Sequence, residues 1–286
     1  MTMNKRLKDF WKLVAFNRET KAGFAIVAVF MVVAILEGLL GNLILPYDPI
    51  KAFVGVPFSP PSLAHPFGTE ELGRDMFSRI VAGTTNDALV SLAVIVFSFA
   101  VGGLVGSMAG YMGGYVDEFL MRVTDVFFVI PGLILAMVIV TVLGPSVLNL
   151  TIAIAVLWWP PYARLARSEA LRIASANFVE SARLSGLSAP RIMFRHIFRM
   201  SMPTLLVYAT LDIGTVVLTY SGLAFLGFSV SPPAPDWGVM VAQYEQFLFL
   251  DPWLPLIPAV VIVTVVIGFS LLGDGLKAAL QQQRGR

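Results

Sequence analysis

Residues 87–110 read DALVSLAVIVFSFAVGGLVGSMAG, and after Asp87 the stretch carries no charge. As an α-helix rising about 1.5 Å per residue, such a run crosses the hydrocarbon core of a bilayer, roughly 30 Å thick. Five further apolar windows stand at residues 22–45, 122–143, 149–168, 204–228 and 255–276. Together the windows predict an all-α, polytopic membrane protein with six transmembrane helices. Composition agrees, because 57% of the 286 residues are hydrophobic and only 13% are charged, with a mean hydropathy of +0.80. A water-soluble domain carries about a quarter of its residues as charges, and half that supply suits a surface facing lipid. The window at 149–168 is interrupted by Trp158, Trp159, Pro160 and Pro161. These residues suit a membrane interface, or a buried kink whose freed carbonyls are satisfied by neighbouring helices.

The first window follows a basic segment (Lys5, Arg6, Lys8, Lys12, Arg18, Lys21) and could be mistaken for a secretion signal. Its apolar run from Ala22 to Leu45 is too long for a signal core, and no small-x-small site interrupts it, so it reads as an uncleaved span. Ahead of it, Leu7, Phe10, Trp11 and Val14 fall on one helical face opposite Lys5, Lys8 and Lys12. That spacing predicts a short helix lying on the membrane surface.

Lysine and arginine orient the spans. The N-terminal tail, Arg122, the segment 160–203 and the C-terminal tail (Lys277, Arg284, Arg286) hold 17 of them; loop 46–86 holds 3, Lys51, Arg74 and Arg79. Segments 144–148 and 229–254 hold none. Both termini are therefore expected in the cytoplasm, as an even number of spans requires. The resulting division is a cytoplasmic amphipathic segment over 1–21, a transmembrane domain over 22–276 with a cytoplasmic loop at about 164–203, and a cytoplasmic tail over 277–286.

Several classes of chemistry are excluded. The net charge of +2 is too small, and too dispersed, for nucleic acid. There is no cysteine, and His65 and His196 are the only histidines, which leaves no thiolate or multi-histidine metal centre. No GxxxxGK[ST], HExxH or GxSxG motif occurs, so the chain is not expected to be an enzyme, nor to hydrolyse ATP alone. An ion-coupled secondary transporter would usually show more spans or an internal repeat. The predicted external loops, 46–86 and 229–254, are proline-punctuated docking surfaces too short to capture substrate themselves, so capture falls to another protein.

The stretch Ala176–Pro203, ANFVESARLSGLSAPRIMFRHIFRMSMP, reads as two short helices. The first runs from Phe178 to Ser185 and stops at Gly186, which readily takes the left-handed closing conformation. It presents Glu180 beside the small Ser181 and Ala182, a combination able to enter a partner's cleft and engage an arginine there. The second begins near Ser188 with Pro190 in its first turn, and Arg191, Arg195 and Arg199 form a basic stripe. Ile192, Met193, Phe194, Ile197 and Phe198 cover the rest of it.

Glu180-Ser181-Ala182-x-x-x-Gly186, closing on Pro203, resembles the EAA-x-x-x-G loop of binding-protein-dependent ABC importer permeases. Ser181 departs from the motif's alanine, and Arg199 stands where a proline is usual; the acidic residue and the hinge glycine remain. His65-Pro66-Phe67-Gly68-Thr69-Glu70-Glu71-Leu72-Gly73-Arg74-Asp75 is similar to the HPxGTDxxGRD segment of the dipeptide/oligopeptide/nickel permeases. Asp117 to Pro131, Tyr162-Ala163-Arg164, Leu223-x-Phe225-Leu226-Gly227, Pro235-x-Trp237-Gly238 and Gly273-Asp274-Gly275-Leu276 resemble that family too, over roughly residues 20–280. The match points to the C-type of its two unlike permeases. The resemblance implies a MetI-like permease fold in the inner (cytoplasmic) membrane, forming half of a pathway with a sister permease as a heterodimer. It implies two ATP-binding-cassette ATPase subunits that bind ATP and Mg, no cofactor in this chain, and an extracytoplasmic solute-binding protein. Phe178, Glu180, Ser181, Ala182 and Gly186 would contact the ATPase. The family carries short peptides, nickel complexes and, in some members, oligosaccharides.

Charges and glycines in the spans add further candidates. Gly102, Gly106 and Gly110 stand four apart, which permits close helix contact and, functionally, sliding. Acidic groups in a membrane face the bundle interior or a watery path. Asp212 is the candidate pathway residue, Asp125 is expected at the cytoplasmic interface near Arg122, and Glu37 either snorkels or meets the sister subunit. Arg74 and Asp75 either contact the binding protein or form a local ion pair; His65 is expected to be structural and His196 to be an interface residue.

Overall fold

The structure, a computed structural model, describes residues 17–284. The predicted surface helix over Leu7, Phe10, Trp11 and Val14 lies outside them. The regular elements among the described residues are all helices, with one isolated bridge between Thr69 and Asp75 and no strand. In chain order the helices are α1 (Arg18–Leu40), α2 (Met76–Met112), α3 (Gly114–Val129), α4 (Gly132–Leu143) and α5 (Val147–Ala174). They continue with α6 (Asn177–Leu184), α7 (Ala189–Ile192), α8 (Arg199–Phe225), α9 (Trp237–Tyr244) and α10 (Trp253–Arg284).

Among the described residues four segments are long and apolar enough to cross a membrane: Arg18–Ile44, Met76–Met112, Ala189–Phe225 and Trp253–Gln282. The pair α3 and α4 makes a fifth if it counts as one span, bent by 84°. The straight helix expected over 122–143 is thus broken. Pro131 disfavours a helical Ile130, whose ψ of 129° takes the chain out of α3. Helix α5 is less apolar than these, because Asn149, Trp158, Trp159, Pro160, Pro161 and Tyr162 dilute its first part and Arg164, Arg167, Glu169 and Arg172 charge the rest. Its first 17 residues, Val147–Ala163, are uncharged, and the helix continues through Pro160 and Pro161.

The chain divides into two compact units. Of the described residues, the first comprises those up to Leu92, Val140–Leu150 and those from Thr210 onward. In it α1 lies against α10 at glycines: a Cβ on Gly23 would overlap the Gly268 carbonyl, and one on Gly275 would overlap Thr20. Without side chains between them the backbones close up, which is how helices associate where burial from water gives no drive. The core of this unit gathers Phe30, Met76, Ile80, Val217, Trp237 and Phe269. Trp237 donates from Nε1 to the Ile80 carbonyl at 2.9 Å, so its polar edge is satisfied inside the core.

The second unit comprises Ala93–Ile139 and Thr151–Ala209. Here the predicted glycine stripe packs on α5. A Cβ on Gly102 would overlap the Trp159 carbonyl, one on Gly106 the Ala163 carbonyl, and one on Gly110 the Arg167 carbonyl. The opposing side chains are themselves small, Ala163, Ala166 and Ala170, all fully buried.

Gly106→Ala is expected to destabilise the fold by about 1–3 kcal/mol through overpacking. A Cβ on Gly222 meets nothing within 4 Å, so Gly222→Ala should be neutral or stabilising by up to about 1 kcal/mol. Thermal unfolding in one detergent, followed by tryptophan fluorescence, separates the two variants; equal melting temperatures would contradict the close approach.

Candidate functional site

The loop joining α5 to α8 folds as a helical elbow. Helix α6 ends in a paired hydrogen-bond motif: Gly186 N donates to Arg183 O at 3.0 Å and Leu187 N to Ala182 O at 3.2 Å. Gly186 has φ of 79°, the left-handed conformation this ending requires and that an L side chain disfavours. Val179 and Ala182 turn inward onto Ala170 and Ile173 of α5 and onto Ile192 and Ile197, and this apolar core fixes α6 against its neighbours. Arg183 lies 5.0 Å over the Tyr111 ring of α2.

The outward side of α6 carries Phe178, Glu180, Ser181 and Leu184, all exposed, as is Gly186 in the turn that follows it. Of the residues expected to meet a partner, Ala182 is instead buried, because the same small size that suits a cleft also lets α6 settle on α5. Leu184, at 84% exposure, takes its place on the outer surface. Phe178 and Leu184 thus flank a small centre at Ser181, whose hydroxyl donates to the Asn177 carbonyl at 3.0 Å.

The second predicted helix of the loop does not stand alone. Helix α7 has Pro190 in its first turn as expected, but it runs through a π-helical turn, Met193–Phe198, directly into α8. Wider π turns are rare and concentrate at functional sites. Here the turn keeps Ile192, Met193 and Ile197 inside while Arg191, Arg195 and Arg199 all point out, the stripe that the four-residue spacing predicts. His196 lies beside Phe178, with ring centroids 6.2 Å apart.

In the first unit, the segment from His65 to Asp75 is a self-contained clasp. Arg74 is 3% exposed and donates to Glu70 through Nε at 2.8 Å and Nη2 at 3.1 Å. Burial works against the Arg74 charge, but the hydrogen bond and attraction of Glu70 hold the guanidinium above its ordinary pKa. Asp75 is fully buried; it accepts from His65 Nδ1 at 2.9 Å and from the Ser78 amide and hydroxyl, both at 2.7 Å, at the start of α2. Gly73, with φ of 69°, passes so close to the Gly55 carbonyl that a Cβ would overlap it. Arg74 and Asp75 are therefore each engaged within the loop, Arg74 by Glu70 and Asp75 by His65 and Ser78. Next to them Arg79 donates from Nη1 to the carbonyls of Pro49 at 2.8 Å and Pro233 at 3.0 Å, joining loops far apart in sequence.

Asp212 is buried in α8 and engages its surroundings. Glu37 accepts from the Thr85 hydroxyl within the same unit. Asp125 pairs with Arg164 at 2.8 Å and not with Arg122, whose neighbour is Glu118 at 3.7 Å. A buried acidic network went unread in the sequence: Asp87 accepts from Ser221 at 3.2 Å, while Asp236 caps α9 and accepts from Tyr220 at 2.7 Å and Ser229 at 3.0 Å. Asp87 sits at the edge of an apolar window and Asp236 in a proline-rich loop, so each looks like a surface charge until the helices meet.

A cavity of about 470 Å³ opens between α1, α2, α9 and α10, lined among others by Val29, Phe30, Phe77, Trp237 and Val261. It has no charged residue to orient a polar cargo. Among the described residues no group of three or more His, Cys, Asp or Glu could hold a metal ion.

Comparison with known proteins gives one consistent result. Residues 102–286 match the family described as binding-protein-dependent transport system inner membrane component. The chain is 36% identical to the probable D,D-dipeptide transport system permease protein DdpC of Escherichia coli (strain K12), over 90% of this chain and 87% of that protein. It is 39% identical to the glutathione transport system permease protein GsiD of Salmonella typhimurium (strain LT2), over 96% and 89%. It is 34% identical to the di/tripeptide transport system permease protein DppC of Pseudomonas aeruginosa (strain UCBPP-PA14), over 96% and 91%.

Glu70→Gln is expected to destabilise the clasp by about 3–5 kcal/mol, because it leaves a buried guanidinium without its counter-charge. Limited proteolysis of the 46–75 loop reads this directly: the variant is cut faster there while the helices remain protected. Cutting at the wild-type rate would show that the pair does not hold the loop.

Proposed function

Because the chain belongs to the family of binding-protein-dependent transport system inner membrane components, we propose that it forms half of the pathway of an ATP-driven importer of short peptides. The other half is a sister permease, two separate ATPase subunits bind ATP and Mg, and a solute-binding protein delivers cargo from outside. The observation that carries this reading is α6, an exposed helix with a small centre and one carboxylate, seated on the end of the membrane helix α5. A helix so placed pushes on α5 when a motor grips it. The cargoes named for the relatives, a dipeptide, glutathione and di- and tripeptides, support short peptides here.

Charge bias supports both termini and α6 on the cytoplasmic side. With α5 crossing on its 17 uncharged residues, Val147–Ala163, and α3 with α4 as one broken span, the count becomes six. About 17–25 residues suffice for a crossing, and Arg164 at the end of that run reaches the headgroups. The transmembrane domain then covers 22–276, with tails over 1–21 and 277–286. Phe178, Glu180, Ser181 and Gly186 are the ATPase contacts, joined by Leu184, and Asp212 remains the pathway candidate.

Glu180→Arg should lower co-purification of the ATPase subunits about tenfold or more, since a hydrogen bond to a charged group contributes about 1.5–3 kcal/mol. Membrane insertion and pairing with the sister permease should be unaffected. Undiminished ATPase binding would overturn the assignment of α6.

A further inference from the structure

Helix α3 is shallowly packed, its apolar Val116, Leu120, Met121 and Phe127 being only partly buried. Of its 16 residues only Thr124 is buried, while Tyr115, Phe119, Val126 and Val129 are exposed. What it does have is a register of side-chain contacts to α5. Asp117 takes both arms of Arg167, at 2.5 and 2.6 Å. Two turns along, Asp125 takes Arg164 at 2.8 Å. Arg164 also lies 3.8 Å over the Phe128 ring, and Phe127 meets Trp159 edge-on at 5.3 Å. Read along α3 from Asp117 to Phe128, the partners run backward along α5 from Arg167 to Trp159, so the two helices are antiparallel.

The two ion pairs are not equal. Asp125 and Arg164 are about half exposed, at 47% and 50%, and water and salt screen such a pair to little net value. Asp117 is only 17% exposed, and its pair is the two-armed fork that fixes geometry as well as charge. Meanwhile α5 is joined at its far end to α6 through the Ala170, Ile173, Val179 and Ala182 core. One helix therefore carries the exposed elbow at its end and holds α3 on its flank.

We infer that the Asp117–Arg167 fork, seconded by Asp125–Arg164, is the link through which a displacement of α6 reaches α3. Both aspartates are engaged with arginines of α5. They are positioning residues that make α3, α5 and α6 move as one piece, so that a push on the elbow shifts the broken span. The inference rests on the reading of α6 as the coupling helix.

The test uses the complete importer in proteoliposomes, with sister permease, ATPases, binding protein and a labelled dipeptide. Asp117→Asn and Arg167→Gln should each assemble and hydrolyse ATP as the wild type does, yet move about fivefold or more less peptide per ATP, the scale of a coupled pair. The exchange D117R with R167D should restore most of that ratio. Asp125→Asn should lower it less. The absence of cysteine allows spin labels at introduced cysteines, at Tyr115 on α3 and Leu171 on α5. The wild type should give one distance population with and without ATP, and Asp117→Asn should split or broaden it. An unchanged ratio and an unchanged distance in the single variants would overturn the inference. So would failure of the exchange to rescue, because the residues would then act separately. Failure of the importer reading shows differently: the wild type moves no peptide, while the label distances still decide whether the fork holds α3.

Discussion

The fold depends on how closely α2 and α5 approach. In lipid there is no water to squeeze out between helices, so association comes from contact between backbones and from polar links. Gly102, Gly106 and Gly110 meet Ala163, Ala166 and Ala170, and any side chain at the glycines would strike an α5 carbonyl or alanine. That contact makes α5 the spine of its unit. On its flank it holds α3 by charge, and at its end it seats α6 by an apolar core. The three attachments use different physics on one helix: close packing, ion pairing and burial.

Polar groups in this chain are used in the same economical way. The motif-like segment from His65 to Asp75 looks from its composition like a surface for a partner. Its charges are consumed instead by a clasp, Glu70 on Arg74 and Asp75 on His65 and Ser78. Arg79 then ties the loop to the one containing Pro233.

Much of this was legible in the sequence. Apolar windows located the long helices, and four-residue spacing found both the glycine stripe and the arginine stripe of the 191–199 segment. Gly186 marked the end of α6. The rest depended on contacts between distant residues. Nothing local distinguishes Ala182, which is buried, from Ser181, which is not; the difference is set by Ile173 and Ile197. Asp125 has Arg122 nearby in sequence, yet its partner is 39 residues away on α5. The bend at Pro131 was open to reading from the proline alone, but hydropathy averages over it and reports one straight span. The π turn at Met193–Phe198 merges α7 and α8 into one continuous helical run, which passes through Pro203.

The proposed function makes this chain a conduit whose motor lies on other subunits. The direct test is uptake of a labelled dipeptide by proteoliposomes holding the chain with its sister permease and ATPases, the binding protein being supplied outside. Uptake should require ATP and the binding protein together and should stop when either is withheld. Uptake by this chain alone, driven by an ion gradient without ATP, would contradict the account.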